Sequence, residues 1–103
     1  MNYLGIDIGG TYIKYGVVQS NGRIGSRDRV ETAGTLEELI EQTAAIVNGV
    51  KTEHIEAVGI GIPGFISQKE KIIKRSPNIR FLDGVPFADA IQERTGIPVV
   101  LEN

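Results

Sequence analysis

Asp7-Ile8-Gly9-Gly10-Thr11 places an aspartate two residues ahead of a glycine pair and a threonine. Glycines let a polyphosphate come close to the backbone, and their amide hydrogens can be aimed at its oxygens. Thr11 adds a hydroxyl donor and Lys14 a positive charge to offset phosphate. Asp7 can hold Mg2+ through water, because that ion takes oxygen ligands and keeps several of its waters. Gly-Gly is also an ordinary tight turn that can use positive φ. The aspartate just ahead of it, in the first hairpin of the chain, favours a phosphate cradle.

Three other groups carry possible chemistry. Gly59-Ile60-Gly61-Ile62-Pro63-Gly64 is either a buried strand closed by a Pro-Gly turn or a strand end whose glycine loop admits a ligand at the carboxyl edge of a sheet. Ser76-Pro77-Asn78-Ile79 offers, in Asn78, a donor and acceptor pair that suits a sugar hydroxyl, although Asn after Pro is also a common turn residue. Val99-Val100-Leu101-Glu102-Asn103 is an apolar strand that delivers two polar residues at its end, or a frayed terminus. The single histidine, His54, lies in a polar stretch and is expected to be solvated, since one histidine cannot build a zinc site. Glu37, Glu38 and Glu41 read as the wet face of a helix.

These residues need elements to hold them. Tyr3 to Ile8 alternates, with Leu4, Ile6 and Ile8 on one face and Gly5 and Asp7 on the other. Thr11 to Val18 is rich in β-branched and aromatic residues, Asn21-Gly22 is a strong hairpin signal, and Arg23 to Val30 is polar enough for an edge strand. Thr35 and Glu38 form a capping box for a helix whose stripe is Leu36, Leu39, Ile40, Val47 and Val50, with Gly49 as its stop. Ala57 to Ile62 is the next strand, with Val58, Ile60 and Ile62 on one face and Gly59 and Gly61 leaving the other bare for close approach. Residues 65 to 85 are expected to be irregular except for a short strand at Lys71 to Lys74. Pro86 begins a second helix at its first position, with Phe87, Ala90 and Ile91 inward and Gly96 as its stop. Pro98 to Leu101 is a final buried strand. Helical crossovers make the late strands parallel to the first, so the sheet is mixed, with helices packed on it. The glycine turn leads into a strand rather than a helix, which excludes a Rossmann unit, and there is no P-loop.

Composition agrees with one small globular domain: 103 residues, 41% hydrophobic and 23% charged. Basic residues are scattered and the net charge is -2, so no nucleic-acid partner is expected. No membrane span or signal peptide is visible, and the lack of cysteine fits a reducing cytoplasm.

Taken together, the four groups resemble the ROK family of bacterial sugar kinases and related repressors. Leu4 to Thr11 is similar to that family's first phosphate motif, which the wider actin-like and hexokinase superfamily shares. Gly59 to Gly64, Ser76 to Asn78 and Val99 to Asn103 match in order and spacing, and the resemblance covers the whole chain. It implies an α/β fold of ribonuclease-H-like (actin/hexokinase-type ATPase) topology: a mixed five-stranded sheet, an antiparallel three-stranded meander plus parallel strands. Residues 1–103 would be the N-terminal domain of a two-domain enzyme that phosphorylates a hexose or hexose derivative with ATP and Mg2+. By the same resemblance, Asp7, Gly9, Gly10, Thr11 and Lys14 contact phosphate or the metal, and Gly64, Asn78 and Asn103 contact the sugar. The general base, an aspartate, follows directly on Asn103, and the family's zinc motif lies further on. This segment alone is therefore expected to be inactive, and the full-length protein to be a cytoplasmic homo-oligomer. Many family members carry Lys where Tyr12 stands here, and Phe65 occupies a place where a polar residue could reach the sugar. The alternatives are a sugar-sensing repressor, whose DNA-binding helices precede a motif that here begins at residue 3, and a non-catalytic binding module.

Overall fold

The computed structural model describes residues 1–102, and of Ser26 the backbone only. Strands β1 (Asn2–Ile8), β2 (Tyr12–Gln19) and β3 (Ile24–Glu31) form an antiparallel meander. Helix α1 (Leu36–Gly49), strand β4 (Ile55–Gly61), a hairpin of β5 (Phe65–Ser67) and β6 (Ile72–Arg75), helix α2 (Phe87–Thr95) and strand β7 (Val99–Glu102) follow. The main sheet runs β3-β2-β1-β4-β7, with β1 to β4 and β4 to β7 parallel. This is the mixed five-stranded arrangement that the order of elements implied. No helix among the described residues is long and apolar enough to cross a membrane.

The alternation in β1 becomes the two faces of the sheet. Leu4, Ile6 and Ile8 are buried with Ile13, Val17, Val58, Ile60 and Leu101, and Leu39, Val47, Phe87 and Ile91 of the helices close over them in one core. Truncating a fully buried Ile such as Ile60 to Ala typically costs about 2–5 kcal/mol, so this layer dominates stability. The opposite face carries Gly5, Asp7, Lys14, Gly16, Gly59 and Gly61 around a shallow hollow of about 690 Å³. Within it, Gly61 lies beneath Asp7, while a Cβ on Gly59 would meet open space among the described residues.

Local signals act mostly where expected. The Asn21-Gly22 turn uses Gly22 at φ 86°, and Asn21 Oδ1 accepts the Arg23 amide at 3.0 Å. Thr35 caps α1 by accepting the Glu38 amide at 3.2 Å. Gly96 ends α2 in the left-handed conformation, φ 73°, its amide bonded to Gln92 O at 2.8 Å. His54 is exposed, as expected, in a left-handed conformation at the end of a short 3-10 turn.

Four details differ. The short strand expected at Lys71 to Lys74 is β6, but residues 65 to 85 are otherwise more ordered than expected: β5 pairs with β6 in its own two-stranded sheet, and a 3-10 turn follows at Arg80–Leu82. A strand as short as β5 carries no readable periodicity; its partner defines it. In α1, Leu39 and Val47 are buried as expected, but Leu36, Ile40 and Val50 are only half-buried, and Thr43, Ala44 and Ile46 complete the stripe. The helix ends at Gly49 without a left-handed glycine, Val50 taking φ -112°. Pro86 is the N-cap rather than the first helical residue, its carbonyl accepting the Ala90 amide at 3.1 Å, and Ala88 is buried where Ala90 is half-exposed.

Candidate functional site

The strand register assembles the site. Asp7 lies opposite Lys14 on β2 and Gly61 on β4; Lys14 lies opposite Arg29, and Gly61 opposite Glu102. One row across the sheet therefore reads Arg29, Lys14, Asp7, Gly61, Glu102, because directly paired residues share a face. This row stands at the carboxyl ends of the parallel strands β1, β4 and β7, where open α/β sheets bind ligands. The bare Gly61 is what makes room for Asp7: a Cβ there would be 3.6 Å from Asp7 Oδ1. Asp7 and Lys14 are both exposed, and neither makes an ion pair among the described residues.

The loop between β1 and β2 corrects one expectation. Gly22, Gly64, Gly84 and Gly96 are the glycines at positive φ among the described residues; Gly9 and Gly10 are not. Glycine is needed at 9 for space: a Cβ would stand 3.0 Å from the Tyr12 carbonyl oxygen. The Gly9 amide donates to that same oxygen at 2.9 Å, so it is engaged within the hairpin. The amides of Gly10 and Thr11 and the Thr11 hydroxyl are the donors left to the loop. Thr32, which the sequence reading passed over, ties this loop to the end of β3. Its hydroxyl donates to Gly9 O at 2.7 Å and its amide to Thr11 O at 2.9 Å. A threonine just past an edge strand carries no signal of that role; only the hairpin pairing brings it there.

The glycine loop, the Pro-Gly turn and the Ser-Pro-Asn turn meet. A Cβ on Gly10 would touch Asn78 Cβ and Asn78 O, each at 3.6 Å. Gly64, at φ 139°, presses so closely on the next segment that a Cβ would overlap the Arg75 carbonyl. Ser76 is fully buried and its hydroxyl lies 3.4 Å from Pro63 O. Asp7, Gly10, Thr11, Gly64 and Asn78 thus belong to one edge of the molecule, whereas Asn103 lies outside the described residues. Tyr12 is partly exposed, with the Arg29 guanidinium 4.5 Å above its ring, a cation–π contact that sets a positive group next to Lys14 in the same row.

No group of three or more His, Cys, Asp or Glu side chains among the described residues can hold a metal. Asp7 offers an exposed carboxylate beside the glycine loop, an oxygen ligand of the kind that a hard cation keeping most of its waters takes.

The sheet order β3-β2-β1-β4-β7, with a glycine loop at the carboxyl edge, defines the fold class, and comparison with known proteins specifies it. The ROK family model matches residues 3–103, and the chain belongs to the ROK family. It is 39% identical over 101 residues to a glucokinase of Streptomyces coelicolor, covering 97% of this chain and 32% of that protein. It is 36% identical over 107 residues to a glucokinase of Thermotoga maritima, covering 100% of this chain and 33% of that protein. A solved ROK family glucokinase from Streptomyces griseus, in complex with glucose and AMPPNP, superposes with a TM-score of 0.90 at 40% identity, over 100% of this chain and 33% of that one. The ribonuclease-H-like fold expected from the sequence is therefore the fold of this chain. The chain spans about a third of the length of the curated relatives it matches.

Proposed function

We propose that this chain is the N-terminal domain of a two-domain, ATP-dependent sugar kinase that works in the cytoplasm as a homo-oligomer. The observation that carries the reading is the closeness of the Gly10 loop to Asn78, a Cβ on the glycine lying 3.6 Å from Asn78 Cβ and O; in this reading the first segment takes phosphate and the second a sugar hydroxyl, side by side. Phosphoryl transfer rests on positioning and charge stabilisation, so an acceptor hydroxyl and a γ-phosphoryl group must be held side by side. Relatives with glucokinase activity in their names, and one bound to glucose and an ATP analogue, support that assignment.

In this reading the amides of Gly10 and Thr11 and the Thr11 hydroxyl hold phosphate oxygens, Gly9 lets them approach, and Lys14 offsets their charge. Mg2+ would neutralise charge on the transferring group, and Asp7 would orient it through water. Gly64, Asn78 and Asn103 hold sugar hydroxyls. The general base follows Asn103 in the full-length protein, and any zinc site lies further on, so this chain alone does not turn over. The sugar is a hexose or hexose derivative.

The test is ADP release by the full-length protein, measured with glucose and a panel of other hexoses, with and without Mg2+. Sugar-dependent and Mg2+-dependent release is expected. Silence with every hexose would leave the non-catalytic reading.

A further inference from the structure

The turn that presents Asn78 is held by neither helix nor strand. The Ile79 amide donates to Ser76 O at 3.2 Å, which closes residues 76–79 around Pro77 and Asn78. Ser76 itself is fully buried, so its own amide must find a partner inside the protein. That partner is Asp83, whose Oδ1 accepts it at 2.7 Å. The other carboxylate oxygen, Oδ2, accepts Arg80 Nε at 3.0 Å. Such charge-assisted bonds are shorter and roughly twice as strong as neutral ones.

Asp83 is in turn fixed from behind. Its amide donates to Arg80 O at 3.1 Å, and its neighbours Gly84 and Val85 clasp Ile73 of β6: Gly84 N to Ile73 O at 2.6 Å and Ile73 N to Val85 O at 3.0 Å. Gly84 reaches this arrangement at φ 79°, which a side chain would resist. The Ser76 amide does most to hold the Asp83 carboxyl below the usual carboxylate range; burial pushes the other way, and Arg80 and then Arg75 add to the downward pull, so it is ionised at neutral pH.

We propose that Asp83 is a positioning residue of this site: through Ser76 it sets where Asn78 stands against Gly10 and how the Arg75–Ser76 backbone closes on Gly64. The inference rests on the sugar-kinase reading for its kinetic consequences and on the geometry alone for its structural ones. Among the described residues the hydrogen bonds of Asp83 go to Ser76 and Arg80 and none to residues 8–11, so its effect falls on the sugar.

The test uses the full-length protein with Asp83→Ala, Asp83→Asn and Arg80→Ala. Displacing a binding group by a fraction of an ångström to an ångström costs on the order of tenfold or more, so Asp83→Ala should raise the sugar KM about tenfold. Its ATP KM should stay within about twofold. Asp83→Asn keeps an oxygen for the Ser76 amide and should recover most of the loss, and Arg80→Ala should leave the sugar KM within about twofold. A lowered melting temperature with an unchanged sugar KM would mean that Asp83 is merely structural, and would overturn the proposal.

Should Asp83→Ala not fold, Asp83→Glu keeps the charge but pushes the turn away; a sugar KM raised about threefold or more is expected, and an unchanged one overturns the idea. If the wild-type protein phosphorylates no hexose, the sugar-kinase reading fails by itself. Positioning is then read from amide hydrogen exchange: about tenfold faster exchange at Ser76 and Ile79 in the variant, with β1 unchanged, keeps it, and equal exchange ends it.

Discussion

Gly10 and Asn78 face each other with room for no more than a methyl group between them: a Cβ added to the glycine would rest 3.6 Å from both Asn78 Cβ and its carbonyl oxygen. That is an ordinary packing distance, and Gly10 does not use positive φ. Gly10→Ala should therefore fold with its stability within about 0.5 kcal/mol of wild type by urea unfolding. In the full-length protein the added methyl should hold phosphate off the backbone and raise the ATP KM roughly tenfold, equivalent to about 1.4 kcal/mol. An unchanged ATP KM would remove Gly10 from the phosphate loop.

Gly64 gives the opposite result. Its φ of 139° is open to glycine alone, and a Cβ would collide with the Arg75 carbonyl. Strain and overlap together place Gly64→Ala at about 3 kcal/mol or more of lost stability. Urea unfolding checks this, and a near-neutral variant would mean that the two turns do not press together.

Asp7→Asn separates function from folding. The side chain is exposed and has no ion-pair partner among the described residues, so the melting temperature should barely change. Removing a preorganised electrostatic group from a phosphoryl-transfer site typically costs about 10²-fold or more in kcat, and that is the loss expected in the full-length protein. Full activity in Asp7→Asn would take the metal role away from it.

Acid should act through Asp83. Its folded-state pKa is depressed, chiefly by the Ser76 amide; burial opposes this, and Arg80 and then Arg75 add smaller downward pulls. The stability it contributes is thus present above about pH 4, the unfolded carboxylate value, and is lost as pH falls through the lower folded value. The melting-temperature gap between wild type and Asp83→Asn should be widest near neutral pH and close in acid. A gap that is constant with pH would show that the carboxylate charge is not what holds the turn.

Thr43 is buried in α1, and its hydroxyl has no hydrogen-bond partner among the described residues. A buried unsatisfied hydroxyl carries a desolvation cost of about 1–3 kcal/mol, so the near-isosteric Thr43→Val should stabilise the protein by about 1 kcal/mol. Destabilisation by thermal unfolding would show that the hydroxyl does find a partner.

Much of this architecture is written in short-range pattern. The alternation of Leu4, Ile6 and Ile8 set the two faces of the sheet, Asn21-Gly22 turned β2 back into β3, and Thr35 and Gly96 marked helix ends through their own side chain or lack of one. Each of these signals works within a few residues, where backbone sterics and local hydrogen bonds decide. The strand at Ile72–Arg75 was legible to within a residue, but its partner β5 was not, because three residues hold too little period to be read and β5 exists only by pairing with β6.

The candidate site divides in the same way. Asp7, Gly9, Gly10, Thr11, Gly64 and Asn78 stood out by residue type and spacing, since phosphate and sugar contacts demand bare backbone and short polar side chains. Packing alone decided that Gly9 is glycine for room beside Tyr12 rather than for positive φ, and that Thr32 locks its carbonyl. Packing also brought Gly10 against Asn78 and gave the Ser76 amide to Asp83. Those relations join residues far apart in the chain, and they exist because the shared core of β1, β4 and α2 fixes the loops above it, a many-body constraint that no local run of residues encodes.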